Sequence, residues 1–112
     1  MQNLQLLLKI LIQSPVDFVL LGGFAAVLHG CNQTTRDIDI CVLQTPEQLE
    51  LLRETLQTLH PRFRKIRDEP SFLGFPEKFS EEQDFYLVTD LGILDIVSRV
   101  EGVGDYYDVL QN

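Results

Sequence analysis

Two aspartates that lie one residue apart inside an apolar run are the first candidates for chemistry. Asp37 and Asp39 alternate with Ile38 and Ile40. Side chains two residues apart on a β-strand share one face, with Cα atoms about 6.7 Å apart, so both carboxylates can converge on one point. At a separation of about 4 Å and an effective dielectric near 20, two carboxylates repel each other by about 4 kcal/mol. A divalent cation removes that penalty, and hard oxygen ligands of this kind suit Mg²⁺.

A third acid occupies a similar position later in the chain. Asp95 is flanked by Ile93, Leu94, Ile96 and Val97, which is the pattern of a buried strand with one unexplained charge. Three such acids on two strands have a common explanation in a two-metal site, in which ions about 3.5–4 Å apart are held by shared carboxylates. The pattern therefore predicts that the three acids meet at one metal site.

A glycine pair supplies the other half of the predicted site. Gly22 and Gly23 end an apolar run, where glycine lets the backbone turn tightly and approach a ligand. A helix that begins there directs free N–H groups outward, and such a corner binds phosphate. The hydroxyls of Thr34 and Thr35 and the guanidinium of Arg36 can contact the same anion. Each motif alone has another interpretation, since a glycine pair also allows close helix packing and a lone Asp-x-Asp also occurs in exposed turns. The prediction therefore depends on the glycine pair and the acids occurring together in this order.

These side chains need strands and helices to position them. Periodicity and turn residues predict helices over 3–13, 24–30 and 46–60 and a short closing helix, and strands over 16–22, 36–43, 63–67, 84–89 and 93–98. The strands over 84–89 and 93–98 are expected to pair as a hairpin around a tight turn at 90–92.

The strongest helix signal begins after residue 44. Thr45 is the expected N-cap, Pro46 the first helical residue, and Gln48 the partner that completes a capping box. Leucines at positions 49, 52, 56 and 59 line one face of this helix.

Composition bounds the class of protein. The chain has 112 residues, 45% of them apolar and 23% charged, which predicts a single domain with one core. The net charge of −8 argues against broad binding to duplex nucleic acid, because that affinity comes from Lys and Arg. No segment predicts a membrane span, and the start resembles a helix of the mature protein rather than a signal peptide, so we expect a cytoplasmic protein. The two cysteines, Cys31 and Cys41, are expected to be buried free thiols.

Two surfaces are candidates for partners. The helix over 3–13 carries leucine and isoleucine on nearly every side, which predicts either packing on more than one face or contact with a protein partner or a second copy. Residues 62–67 form the only basic cluster. A solvated edge strand or turn is the favoured interpretation of this cluster, and a surface that follows phosphates is the alternative.

These residues resemble the signature of the nucleotidyltransferase superfamily, the fold shared by polymerase beta, kanamycin nucleotidyltransferase and the small bacterial nucleotidyltransferases. Its pattern is an apolar residue followed by Gly and by Gly or Ser, then a gap of about a dozen residues, then Asp, an apolar residue, Asp or Glu, and another apolar residue. The matching residues are Leu21-Gly22-Gly23 and Asp37-Ile38-Asp39-Ile40, with Asp95 as the later acid. More narrowly, "GGFAAVLHG", "TRDIDI" and "TDLGILDIV" resemble the bacterial branch that includes the AbiEii-type toxins.

The resemblance covers nearly the whole chain and implies an α/β fold, with a mixed, twisted sheet of four or five strands and helices largely on one face. It implies that Asp37 and Asp39 ligate two Mg²⁺ ions, and that Asp95 completes the site and helps to deprotonate the attacking hydroxyl. Gly22 and Gly23 would hold the β- and γ-phosphates. The implied reaction is in-line attack of an acceptor hydroxyl on the α-phosphorus of a nucleoside triphosphate, with ATP expected, and release of pyrophosphate.

Two other interpretations stay open. One is a non-catalytic module with the same fold that acts as a nucleotide sensor or as one half of a toxin–antitoxin pair. Two departures from the family pattern favour this module. Gln33 stands where this branch tends to carry an arginine, and many relatives continue into a further helical region. The other is that the three acids bind a stabilising cation and nothing else.

Overall fold

The computed structural model of the chain describes residues 2–22, 37–74, 76 and 83–111. Within these residues the helices are α1 (Leu4–Gln13), α2 (Pro46–Leu56) and α3 (Tyr106–Leu110), and a short 3₁₀ turn, Gln57–Leu59, follows α2. The strands are β1 (Phe18–Leu21), β2 (Asp37–Val42), β3 (Arg62–Phe63), β4 (Phe85–Thr89), β5 (Gly92–Val97), β6 (Arg99–Val100) and β7 (Gly104–Asp105). The helix expected over 24–30 lies outside the described residues.

Five of the strands form one mixed sheet in the order β1-β2-β5-β4-β3. Strands β2 and β5 run parallel, and every other neighbouring pair in this sheet is antiparallel. Strands β6 and β7 pair separately as a small antiparallel ribbon. The expectation of a mixed sheet of four or five strands with helices is therefore confirmed.

One face of the sheet forms the hydrophobic core. Ile38 and Ile40 of β2 and Leu94 and Ile96 of β5 are fully buried there. The leucines that α1 and α2 bury against this face are Leu4, Leu7, Leu8 and Leu11, and Leu49, Leu52 and Leu56. Because side chains alternate along each strand, this packing sends the intervening residues of β2 and β5 to the opposite face.

The opposite face carries a smaller apolar cluster at one end. Tyr106 and Val109 of α3 pack there with Cys41 of β2, and Cys41 is a buried free thiol, as predicted. The closing helix is also confirmed, and it begins with a capping box between Asp105 and Asp108. Cys31 lies outside the described residues.

The start of α2 confirms part of the sequence prediction and corrects the rest. Thr45 caps the helix by accepting a hydrogen bond from the backbone N–H of Gln48, and Pro46 opens it. The side chain of Gln48 does not complete a capping box. Its amide instead accepts a hydrogen bond from the backbone N–H of Asp17 at 2.8 Å and donates one to the Asp17 carboxylate at 3.0 Å. Gln48 thus bonds to Asp17, which is distant in sequence, instead of to the backbone of Thr45. These two hydrogen bonds connect the start of α2 to the segment just before β1.

The hairpin is confirmed and the strand expected over 63–67 is much shorter than predicted. Strands β4 and β5 pair through Thr89 and Gly92, with a turn at residues 90–91. Strand β3 ends at Phe63, where the chain folds back so that the Phe63 N–H donates to the carbonyl of Pro70 at 2.9 Å. The turn that follows holds Asp68 and Glu69 at positive φ, which no continuing strand permits.

Helix α1 buries one apolar face within the chain itself. Its four core leucines pack against the sheet, while Leu6 and Ile12 are 41% and 65% exposed. The four leucines at positions 4, 7, 8 and 11 share one face of the helix, so they do not show the packing on more than one face that the sequence suggested. Contact with a partner through the exposed remainder of α1 stays a prediction.

Candidate functional site

Three carboxylates converge on the face of the sheet that the core does not use. Asp39 of β2 lies directly opposite Asp95 of β5 in the parallel pair, and Asp37 is two residues before Asp39 on the same face. One oxygen from each of the three carboxylates lies within 4.8 Å of the other two. Asp95 is buried, whereas Asp37 and Asp39 are half-buried. The structure therefore brings the three acids together as the sequence predicts.

The spacing of these oxygens fits a hard cation. Mg²⁺ binds oxygen at about 2.0–2.1 Å and Ca²⁺ at 2.3–2.6 Å, so oxygens around one ion lie no more than about 4–5 Å apart. The three carboxylate oxygens fall within that limit.

A fourth charged group that the sequence analysis did not place at the site contacts the third acid. Arg64 donates from Nε to Oδ1 of Asp95 at 3.2 Å and from a terminal nitrogen to Oδ2 at 2.6 Å. This bidentate pairing fixes the plane of the Asp95 carboxylate. Three carboxylates and one guanidinium leave a formal charge of −2, so the cluster still has charge for a divalent cation to neutralise.

Arg64 reaches Asp95 through two strand pairings. Its backbone N–H donates to the carbonyl of Tyr86 at 3.0 Å, and Tyr86 is the residue opposite Asp95 in the β4–β5 pair. The guanidinium carbon also lies 5.7 Å from the centre of the Tyr86 ring. One signal in the sequence could have identified Arg64 as a member of the site. Asp95 is an acid on a buried strand and needs a cationic partner, and the basic cluster at 62–67 contains the candidates.

The surroundings of Asp39 disfavour its ionised form. Burial raises the pKa of its carboxyl, and the nearby charges of Asp37 and Asp95 raise it further, while Arg64 partly offsets them. The ionised form is thus held at a cost in free energy. A cation between the carboxylates would relieve that cost by exchanging repulsion for attraction.

The predicted glycine corner is next to the acids, as far as the structure describes it. Gly22 follows β1, and its neighbour Leu21 lies opposite Asp39 in the β1–β2 pair. Gly22 adopts a φ of +64°, and a Cβ at this position would lie 3.6 Å from Oδ2 of Asp39. Its backbone therefore approaches the cluster directly. The other predicted phosphate contacts, Gly23, Thr34, Thr35 and Arg36, lie outside the described residues.

Comparison with known proteins adds no family assignment. No family model matches the chain, and no curated protein or solved structure is significantly similar to it. Among the described residues, none of the helices has the length and apolar character that a membrane crossing requires.

Proposed function

We propose that this protein is a metal-dependent nucleotidyltransferase that moves a nucleoside monophosphate from a nucleoside triphosphate, with ATP as the expected donor, to an acceptor hydroxyl. One observation carries the proposal: Asp37, Asp39 and Asp95 present oxygens within 4.8 Å of one another on one face of the sheet. A carboxylate trio of this kind is costly unless a cation binds it, and two-metal sites built from carboxylates serve phosphoryl chemistry.

The arrangement of the strands supports the same proposal. The first two acids lie on one strand, the third on its parallel neighbour, and Gly22 ends the strand on the other side. This is the order in which the nucleotidyltransferase superfamily carries its glycine pair and its metal-binding acids. We accordingly propose that the mixed sheet is a nucleotidyltransferase fold.

Each side chain has a distinct role in the proposed reaction. Asp37 and Asp39 would hold the cations on the face of β2, and Asp95 would complete the site and help to deprotonate the acceptor hydroxyl. The left-handed backbone of Gly22 allows close approach of the β- and γ-phosphates, and Gly23, Thr35 and Arg36 are the predicted contacts beyond it. When bound, two Mg²⁺ ions neutralise the carboxylates and phosphates and polarise the phosphoryl group.

The remaining contribution of the chain is positioning. Arg64 holds Asp95 in one orientation through two hydrogen bonds, so the carboxylate does not have to be ordered when substrate binds. Of the three acids only Asp95 is buried, and the lower local dielectric around it strengthens its charge interactions.

The ion pair between Arg64 and Asp95 supports a second candidate function. Because Arg64 already neutralises Asp95, the cluster needs less cationic charge than three free carboxylates would. This favours, as the alternative, a non-catalytic module that binds nucleotide as a sensor or acts as one half of a toxin–antitoxin pair. In that case the charge-removing substitution Asp39→Asn leaves biological activity unchanged.

The direct test is transfer from a labelled nucleoside triphosphate. The purified protein is incubated with α-labelled ATP and Mg²⁺, and both pyrophosphate release and labelled product are measured. Asp39→Asn is expected to lower the rate at least about a hundredfold, since it removes a ligand that positions the reacting groups. Glu54→Gln removes an exposed acid from α2 and is the matched control that retains activity. Equal rates in wild type and Asp39→Asn would refute the enzymatic proposal.

A further inference from the structure

Both oxygens of the Asp95 carboxylate are bonded to one side chain. Arg64 donates to Oδ1 at 3.2 Å and to Oδ2 at 2.6 Å, and among the described residues it forms an ion pair only with Asp95. The same carboxylate is the third member of the candidate cation site with Asp37 and Asp39. The guanidinium and a bound cation would therefore compete for one acid.

The distances make this competition strong. A Mg²⁺ ion that binds either Asp95 oxygen at about 2.1 Å lies within about 5 Å of an Arg64 nitrogen, because each of those oxygens is 3.2 Å or less from the guanidinium. At that distance a divalent cation and a guanidinium repel each other, and the repulsion is larger in partly buried surroundings than in water. Arg64 therefore lowers the affinity of Asp95 for a cation.

The formal charges indicate how many cations the cluster holds by itself. Three carboxylates and one guanidinium sum to −2, which one divalent cation neutralises. A second divalent cation would leave the cluster at +2 in a region that is only partly hydrated, which is unfavourable. A nucleoside triphosphate brings anionic oxygens that offset this excess of positive charge.

The surroundings of Arg64 allow its guanidinium to leave Asp95 while the strand pairing stays intact. The Arg64 side chain is 25% exposed, and its guanidinium carbon lies 5.7 Å from the centre of the Tyr86 ring, whose face attracts cations. Its backbone is held separately, since the Arg64 N–H donates to the carbonyl of Tyr86 at 3.0 Å. The guanidinium can thus exchange one anionic partner for another without loss of this backbone bond.

We propose that Arg64 occupies the place of a second cation in the nucleotide-free protein and releases Asp95 to that cation only when a nucleoside triphosphate binds; the inference rests on the proposed nucleotidyltransferase function. Asp37 and Asp39 then hold a single divalent cation in the absence of nucleotide. Arg64 keeps Asp95 oriented until the triphosphate binds, and its guanidinium then pairs with a phosphate oxygen. Arg64 is accordingly a positioning residue that sets the order in which cations and nucleotide bind.

The number of bound cations tests the competition without nucleotide. Mn²⁺, which accepts the same oxygen ligands as Mg²⁺, is titrated into the protein, and electron paramagnetic resonance measures the free ion. Wild type should bind one ion, whereas Arg64→Gln should bind a second ion at least about tenfold more tightly than wild type does. Arg67→Gln removes a positive charge from an exposed position of the same basic cluster and should bind as wild type does. Equal affinity for the second ion in wild type and Arg64→Gln would overturn the proposal.

Arg64→Lys separates the loss of charge from the loss of packing. Lysine keeps the positive charge but replaces the planar fork of the guanidinium by a single ammonium group. If positive charge excludes the second cation, Arg64→Lys should bind one Mn²⁺ ion, as wild type does. A second ion bound as tightly in Arg64→Lys as in Arg64→Gln would mean that altered packing opens the site, and the proposal would be wrong.

The exchange of partners can be followed in wild type, whatever the stability of the variants. The Nε–H of Arg64 donates to Oδ1 of Asp95, so its ¹⁵N–¹H signal reports this bond. The signal should shift much further when α,β-methylene-ATP and Mg²⁺ are added together than when Mg²⁺ is added alone. Equal shifts in the two titrations, in samples where the backbone amide of Gly22 responds to the nucleotide, would contradict the release of Asp95.

The outcomes distinguish this inference from the proposed function. Transfer from labelled ATP in wild type, together with equal binding of the second ion in wild type and Arg64→Gln, would overturn the role of Arg64 alone. A second ion gained in Arg64→Gln without any transfer in wild type would support the competition at Asp95 and overturn the enzymatic proposal. Absence of bound Mn²⁺ in both proteins would overturn the cation site, and with it the proposed function and the inference.

Discussion

Arg64 and Asp95 form a two-bonded ion pair across the sheet, with their closest nitrogen and oxygen 2.6 Å apart. The Asp95 side chain is 11% exposed and that of Arg64 is 25% exposed. The pair therefore links the end of β3 to the centre of the sheet in a region that water reaches only partly. Its presence changes the charge of the candidate metal site and makes Arg64 a structural member of that site.

Loss of this arginine should destabilise the fold. Arg64→Ala leaves a buried carboxylate without its partner, and we expect a loss of about 2–3 kcal/mol, below the usual cost for a fully buried pair because the arginine is partly exposed. Urea unfolding monitored by circular dichroism measures the change. Arg67→Ala, at an exposed position in the same basic cluster, should change stability by less than about 0.5 kcal/mol. Equal losses in the two variants would mean that the ion pair does not stabilise the sheet.

The pH dependence of stability should reveal the strain on Asp39. Burial and the charges of Asp37 and Asp95 raise the pKa of Asp39 above its ordinary value of 3.8, so the folded chain resists ionising this group. The resulting destabilisation is complete above the raised pKa. It fades as the pH falls through that value and is absent below 3.8, where both states bind the proton.

Asp39→Asn tests this dependence without metal. At pH 7 the variant should be more stable than wild type by up to about 1 kcal/mol, a small gain because the side chain is partly exposed. The difference should vanish as the pH approaches 3.8. Unfolding midpoints at several pH values, measured with a chelator present, give the comparison, and a variant less stable than wild type at pH 7 would contradict the predicted repulsion.

In the presence of divalent cations, wild type should become more stable than Asp39→Asn. A ligand that binds only the folded state stabilises it by mass action, by about 2.7 kcal/mol at a hundred times its dissociation constant. Thermal unfolding with Mg²⁺ alone, ATP alone and both together should show the largest shift with both. Asp39→Asn should lose most of the shift, whereas Glu54→Gln should retain it. A shift of the same size in the presence of Mg²⁺ alone would favour a purely structural cation.

The backbone at Gly22 offers a second matched pair of variants. Gly22 and Gly102 both have positive φ, +64° and +83°, and at neither would a Cβ clash with any of the residues that the structure describes. Alanine at either position should therefore destabilise by a similar amount, about 1–2 kcal/mol, through the backbone conformation alone. Only Gly22→Ala should weaken nucleotide binding, because its Cβ would project toward Asp39. Equal nucleotide affinity in the two variants would remove Gly22 from the phosphate site.

The features that the sequence predicted well are local in the chain. The alternation of Asp37 and Asp39 with isoleucines fixes which face they share, and the two strands that flank Gly92 form a hairpin as their spacing indicates. Both follow from the two-residue period of a strand and from turn chemistry. The meeting of Asp95 with these two acids is the one tertiary contact that the sequence predicts, because three buried-strand acids without local partners favour a shared site.

The features that it missed depend on tertiary partners. Arg64 meets Asp95 only because β3, β4 and β5 pair in a particular register, and nothing near Arg64 in the chain encodes that register. Gln48 satisfied the local rule for a capping box, yet its amide bonds to Asp17, which is brought close by the fold. Periodicity identifies which residues share a face, whereas the choice among competing polar partners is made by packing.

The most direct test of the central claim is a crystal structure of the protein grown with Mn²⁺ and a non-hydrolysable ATP analogue. Mn²⁺ substitutes for Mg²⁺ at oxygen ligands and can be located by its anomalous signal. Metal peaks within about 2.0–2.3 Å of the Asp37 and Asp39 oxygens, with the triphosphate beside Gly22, are the predicted result. Nucleotide or metal bound elsewhere, with the three carboxylates free of both, would contradict the account.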